Sequence, residues 1–392
     1  MDTKTLDMIV SNSKKQLQWV GRFKKKRHLF RQLKSIDREY FIAIKGVRGV
    51  GKTVLMLQIA KETQDAVYFS ADSMPVKRFS IYDIVRELSA LGFKNIFIDE
   101  IHRKPEWDVD VKSIYDEHEV RLIFSGSSAL DITRTTSDLS RRVVMKELRP
   151  VSLREYVNIK KGYEISPISF YDILKNRALF ARKYADVKDY YTEYMQYGGT
   201  LYPKRGFREA MENSIRKVIL QDMSSLRDIN IKYETDIYKL LYLIASSQPF
   251  NVNYSSIANV LEISKTMAIR IVKDMESTGL ITAIFPCKKQ GVNVKKEPKI
   301  YLMVPLRHLF FPEVTDSHRG AAREEFFVNH VKDVCYVKGK RGEKLPDFRF
   351  ENTTIEVGGE TKGRYQHADY IATDGLSCTG NRIPLFLFGF VY

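Results

Sequence analysis

Gly46, Val47, Arg48, Gly49, Val50, Gly51, Lys52 and Thr53 spell G-x-x-x-x-G-K-T, and the residues on either side decide what that run has to be. Ahead of it lies a short apolar segment of strand type, Tyr40 to Lys45. Behind it, Val54 to Ala60 continues with apolar helix formers and no breaker. A glycine-rich turn between strand and helix lets successive backbone N–H groups face one anion, and the helix N-terminus favours negative charge there. In that setting Lys52 reaches for the β- and γ-phosphates of a nucleoside triphosphate, and the Thr53 hydroxyl for Mg²⁺. ATP and Mg²⁺ are the cofactors this implies.

A second element belongs with the first. Asn95-Ile-Phe-Ile-Asp99-Glu100 is a buried-type strand ending in two carboxylates, 46 residues beyond Thr53. A carboxylate at the C-terminal end of a parallel strand can hold Mg²⁺ beside the phosphate loop. A glutamate directly after it can polarise the water that attacks the γ-phosphate. Asp99 is therefore assigned to the metal and Glu100 to the base, which makes hydrolysis the expected activity.

The alternation around these motifs sets the fold class. Val67–Ser70, Ile96–Ile98 and Arg121–Phe124 read as strands, and Ile81–Leu88 as an amphipathic helix, which predicts an α/β domain with a parallel sheet covered by helices. Residues 1–150 are expected to form this core, led by a basic helix with apolar positions at Leu17, Val20, Leu29 and Leu33. Residues 151–231 read as an aromatic-rich helical lid, 232–311 as a winged helix, and 312–392 as a further small α/β domain.

Charge adds a partner. The net charge is +16, and residues 1–50 carry 13 Lys/Arg against 4 Asp/Glu, densest in Arg22–Arg27. A chain this basic is expected to meet a polyanion, with DNA the leading candidate. Its apolar runs are strand-sized, so no membrane span is expected. Met1–Thr5 opens without a secretion core, and Cys287, Cys335 and Cys378 lack metal-ligand spacing. They read as ordinary thiols of a cytoplasmic protein.

The C-terminal half offers two further sites. Ile237–Ile244, Tyr254–Leu261 and Lys265–Thr278, the last capped by Ser264 and ended by Gly279, precede strands at Leu280–Phe285 and Lys299–Met303. That is winged-helix order. Its third helix would offer Lys265, Thr266, Arg270 and Lys273 to DNA, and its wing Lys288 and Lys289, although such modules also serve purely for packing. Farther on, Asp347 and Glu356, with Glu324 on the preceding helix, are placed to converge on a divalent metal as nuclease carboxylates do. The position two residues past Glu356, where such an enzyme carries a water-orienting lysine, is Gly358. Lys362 is the nearest substitute.

Together these segments resemble the bacterial and archaeal P-loop ATPases of the extended AAA+ class that carry a C-terminal nuclease-like domain. The resemblance rests on Gly46–Thr53, on Ile98–His102 followed by Trp107, and on Leu122-Ile-Phe-Ser-Gly-Ser-Ser128. It rests also on Glu147-Leu-Arg-Pro-Val-Ser-Leu-Arg-Glu-Tyr156 and on Tyr197-Gly-Gly-Thr-Leu-Tyr-Pro203. It implies an AAA+-like sheet, a γ-phosphate-sensing role for Ser127 and an arginine-finger or sensor role for Arg142. It also implies homo-oligomers and a frequently degenerate nuclease-like domain. Arg141 stands where the family places a glycine, so either arginine is a candidate finger. Three functions remain open at this level: an ATP-driven switch on DNA, an ATP-gated nuclease, and a signalling ATPase with protein partners.

Overall fold

The apolar run before the glycine-rich loop is the fourth strand across a five-stranded sheet in the computed structural model. The structure describes residues 1–126, 139, 141–223, 231–247, 253–287, 298–313, 316–338, 343, 345–360 and 367–392. They fall into two units: Met1–Arg149 with Gln221–Ser225, and Pro150–Leu220 with Leu226–Tyr392.

In the first unit, β1 (Phe41–Lys45), β2 (Ala66–Ser70), β3 (Asn95–Asp99), β4 (Arg121–Gly126) and β5 (Val143–Glu147) form the sheet, in the order β2-β3-β4-β1-β5. All neighbouring pairs are parallel, with Ile42 opposite Ile123 and Ile98 opposite Phe124. Parallel strands need crossovers, and α3 (Lys52–Lys61), α4 (Ile81–Ala90) and α5 (Trp107–Glu117) supply them. The sheet is apolar on both faces: Ile42, Ala43, Ile44, Ile96, Phe97, Ile98 and Phe124 are all buried. Truncating Phe97, fully enclosed here, to alanine costs about 3–5 kcal/mol for a side chain of its size. Ser80 caps α4 by accepting from Asp83 N at 3.0 Å. The order matters for function because β4 separates β1 from β3, which opens a gap between their C-terminal tips.

The expected single basic helix at the N-terminus is two helices, α1 (Thr3–Trp19) and α2 (Leu29–Lys34), with the basic run between them. The break has a cause in packing. Arg27 is buried and donates to Val50 O, and to Arg149 O at 2.7 Å, while Gln58 Nε2 holds Phe23 O at 2.9 Å. Lys26 and Lys34 both pair with Glu62.

The second unit begins with α6 (Leu153–Lys160), α7 (Phe170–Lys175), α8 (Arg177–Lys183), α9 (Tyr191–Tyr197) and α10 (Phe207–Lys217). It continues with α11 (Ile231–Ser246), α12 (Tyr254–Leu261), α13 (Lys265–Ser277) and the antiparallel pair β6 (Ile281–Ile284) and β7 (Lys299–Leu302). Ser264 accepts from Met267 N at 3.1 Å, the cap expected from sequence. After α14 (Leu306–Phe310) and α15 (Asp316–His330) comes a mixed sheet. Its strands are β8 (Val334–Tyr336), β9 (Phe348–Phe350), β10 (Thr353–Gly358), β11 (Tyr370–Thr373) and β12 (Arg382–Pro384), in the order β12-β11-β10-β9-β8.

The helices expected as a lid share one apolar core with this sheet, through Tyr156, Phe170, Tyr194, Phe326, Phe348 and Phe388. The Pro-Val-Ser-Leu-Arg-Glu segment explains part of that union. Ser152 forms a capping box with Glu155, and its Oγ donates to the main-chain oxygen of Tyr392 at 2.9 Å. Arg154 Nε donates to the same oxygen at 2.8 Å.

The cysteines depart from expectation. Cys287 and Cys335 are joined by a disulfide, and Cys378 is a free thiol. A β-bridge between Pro286 and Tyr336 brings the two half-cystines together across 48 residues, a pairing that sequence spacing does not announce. Among the described residues, no helix is long and apolar enough to cross a membrane.

Candidate nucleotide site

The loop between β1 and α3 has the backbone its glycines permit. Gly51 takes φ +93°, in the left-handed region that side-chain-bearing residues avoid. A Cβ on Gly46 would lie 2.5 Å from Leu148 O, so the loop can hug the β5 end only with glycine there. Lys52 is buried and donates to Gly46 O at 2.7 Å and Val47 O at 3.2 Å. Burial pulls its pKa down, and the nearby Glu100, Asp99 and Asp222 oppose that shift. Arg27, bonded to Val50 O, pins the loop from behind.

Asp99 and Glu100 sit at the tip of β3. Thr53 Oγ1 donates to Asp99 Oδ2 at 2.5 Å, and Tyr68 OH to the same oxygen at 3.0 Å. Asp99 Oδ1 accepts from Ser125 Oγ at the tip of β4, and from Glu100 N at 3.1 Å. The hydroxyl and carboxylate assigned to Mg²⁺ are therefore in contact, a donor set of hard oxygens that suits this ion. Glu100 follows the strand at φ +53°, a conformation rare for its residue type. Burial raises its pKa, against the pull of Lys52 and Arg48. Tyr68 carried no signal in the sequence, since a lone hydroxyl on a core strand looks like any other, whereas Ser125 lies in the Leu122–Ser128 segment, where the resemblance gave the sensing role to Ser127.

Arg48 does more than lend its backbone to the loop. Its Nε and Nη2 donate to Asp222 Oδ2 and Oδ1 at 2.9 and 2.8 Å, and Nη2 lies 3.7 Å from Glu100 Oε2. His102 Nε2 is 3.5 Å from the same Glu100 oxygen, and burial lowers the His102 pKa to about 4. Asp222 lies 174 residues from Arg48, beyond any sequence motif.

Arg142 is not part of this cluster. It immediately precedes β5 and its carbonyl accepts from Phe41 N, at the end of the sheet opposite the loop, roughly 15–17 Å of strand away. Its guanidinium forks onto Asp116 with two 3.0 Å bonds. That placement sets Arg142 apart from the loop of its own chain. Ser127 lies outside the described residues.

The other expected site is gathered only in part. Asp347 N donates to Glu356 Oε2 at 3.2 Å and Val357 N to Asp347 Oδ2 at 2.9 Å, so these two residues do meet. Glu324 instead accepts from Tyr301 OH at 2.9 Å, and Glu325 is bound to Arg307 at 2.7 Å. Among the described residues no group of three or more His, Cys, Asp or Glu is placed to hold a metal ion. The three-carboxylate convergence is thus corrected to a pair. Of the DNA candidates, Lys265, Thr266 and Lys273 are exposed on α13 and Arg270 is half-buried. Lys288, Lys289 and Lys362 lie outside the described residues.

Several known proteins resemble this chain over part of its length. The AAA domain family matches residues 38–157, from just before β1 into α6. The uncharacterized protein MJ1637 of Methanocaldococcus jannaschii is 28% identical over 332 residues, covering 77% of this chain and 70% of that protein. MJ1544 of the same organism is 24% identical over 237 residues, covering 56% of this chain and 49% of that protein. Among solved structures, the Aeropyrum pernix ORC1 protein in complex with DNA aligns with TM-score 0.30 and 13% identity, over 80% of this chain and 91% of that one. AMPPCP-bound DnaA from Aquifex aeolicus aligns with TM-score 0.23 and 14% identity, over 63% and 84%. The stretch that matches the AAA domain model, residues 38–157, is the one that holds the phosphate loop and the β3 carboxylates.

Proposed function

We propose that this chain is an ATP hydrolase that acts as a switch on DNA. The observation that carries the reading is the meeting of Thr53 and Asp99 at one point, with Lys52 and Glu100 beside it. In this reading Lys52 holds the β- and γ-phosphates. Thr53 and Asp99 keep Mg²⁺, which neutralises phosphate charge when bound. Glu100 orients a water and takes its proton. Arg142, remote from its own loop, serves as a finger for a neighbouring copy, which makes the working form a homo-oligomer.

DNA as partner is supported by the net charge of +16 and by the basic face of α13, within a helix–helix–helix–hairpin arrangement that we read as a winged helix. The domain limits proposed for it are 232–311, with a nuclease-like domain at 312–392. Binding is favoured over cutting, because Gly358 stands where a cation is needed and Glu324 is engaged by Tyr301.

The test is ATP turnover by the purified protein with and without single- and double-stranded DNA, over a salt series. Stimulation by DNA that fades with salt is expected. Alanine at Lys265, Arg270 and Lys273 should flatten the salt slope by about one for each phosphate left without its cation. Turnover without any response to DNA would leave the signalling ATPase. DNA cleavage abolished by Asp347→Ala would promote the nuclease.

A further inference from the structure

We propose that Arg48 and Asp222 form a phosphate-responsive latch, in which the γ-phosphate of ATP and the Asp222 carboxylate compete for one guanidinium. The winner decides whether the chain's return segment stays on the phosphate loop. The inference rests on the nucleotide reading above and adds to it a residue that no loop motif contains.

Arg48 is the third residue of the phosphate loop, yet its Nε–Nη2 edge is taken by Asp222 in a two-bond fork of 2.9 and 2.8 Å. That planar edge fits a carboxylate and a phosphate equally well. Asp222 is 1% exposed, so its charge has little water to screen it and leans on the Arg48 guanidinium. Lys52, Glu100 and His102 all lie within its electrostatic reach. A triphosphate held by Lys52 brings like charge against this buried carboxylate. The repulsion falls when Asp222 leaves and Arg48 turns its fork to the phosphate. Arg48 Nη2 is also 3.7 Å from Glu100, so the same exchange changes what stands beside the proposed base.

The residues around Asp222 have an irregular backbone and a second hold on the site. Helix α10 continues into a π-helical turn, Val218–Asp222, a geometry concentrated at functional sites. Gln221 Oε1 accepts from Arg103 Nη2 at 2.5 Å, a second hold on the same turn from the residues after β3. The turn spans the point, between Leu220 and Gln221, where the chain passes from one unit to the other. A latch here therefore ties nucleotide occupancy to one of the points where the chain passes between the two units.

The experiment follows amide hydrogen exchange of Val218–Met223 in the full chain with Mg²⁺ and either a non-hydrolysable ATP analogue or ADP. Binding of each nucleotide is measured on the same samples by fluorescence. Exchange is expected to be at least about tenfold faster with the analogue than with ADP. Asp222→Asn should exchange fast with both and bind the analogue several-fold more tightly. Arg48→Lys keeps the charge but not the fork, and should erase the difference between the nucleotides even where Asp222→Asn folds poorly. Analogue that binds without accelerating exchange overturns the latch and leaves the nucleotide site standing. Failure of the wild-type chain to bind either nucleotide overturns both.

Discussion

Two sheets in this chain end in paired carboxylates, and they differ in what surrounds the pair. At the tip of β3, Asp99 and Glu100 share their space with Lys52, Arg48 and the Thr53 hydroxyl. Just before β9 and within β10, Asp347 and Glu356 meet main-chain N–H groups, and the next catalytic position is Gly358. A carboxylate pair gains chemistry from the cations and hydroxyls placed beside it. The first pair has both, and the second is held by the main-chain N–H groups of Asp347 and Val357.

The sharpest way to break this contrast is to neutralise one pair at a time. Glu100→Gln should retain nucleotide and lose turnover by about 10²–10⁴-fold, the usual worth of a positioned base. Lys52→Ala should lose nucleotide binding itself. Asp347→Asn and Glu356→Gln should leave ATP turnover within about twofold, since the proposed hydrolysis uses neither residue. Equal losses of turnover from both pairs would mean that the second site belongs to the same reaction.

Arg142 sharpens the contrast from the other end of the sheet. Its pair with Asp116 is partly solvent-exposed, so Arg142→Ala should change unfolding free energy by no more than about 1 kcal/mol. Turnover should nevertheless fall by ten- to a hundredfold on the order of magnitude, as for loss of a transition-state cation. Mixing this variant with Lys52→Ala protein should restore part of it, because each supplies what the other lacks. Mixed samples no better than their components would assign the finger to Arg141 or remove it altogether.

What the sequence displays and what it hides divide along chain distance. The loop, its flanking strand and helix, and the β3 carboxylates were legible because each is a local pattern with one physical solution. β5 was not read as a strand, since Val143–Glu147 has a charged end and little alternation. Asp222, Arg27 and the Cys287–Cys335 bond depend on segments 174, 122 and 48 residues apart, and nothing local marks them. Arg27 is the instructive case. It sits in the densest basic run, where composition predicts a solvated cation for DNA, yet its guanidinium is buried against two carbonyls of the loop region.

The last expected effect is on stability and concerns His102, and its sign follows from burial. Its folded pKa is lowered to about 4, chiefly by burial, with Arg103, Arg48 and Lys52 adding to the shift and Asp222 opposing it. An unfolded chain protonates this histidine near its ordinary value of about 6.5, where the folded chain still does not. Stability is therefore unaffected above that pH and falls as pH drops from about 6.5 toward 4, by up to ~3 kcal/mol from this group. Glu100 acts in the opposite sense, because a raised carboxylate pKa favours the folded state as it protonates, and His308, also lowered to about 4, acts in the same sense as His102. Both remain in a His102→Gln variant, so the informative quantity is the difference between variant and wild type. Urea unfolding at a series of pH values should show that difference near constant above pH 7 and shifting in favour of the variant as pH falls toward 4.5. A difference that stays flat across the series would place the His102 ring in contact with water in solution, and the buried corner beside Glu100 with it.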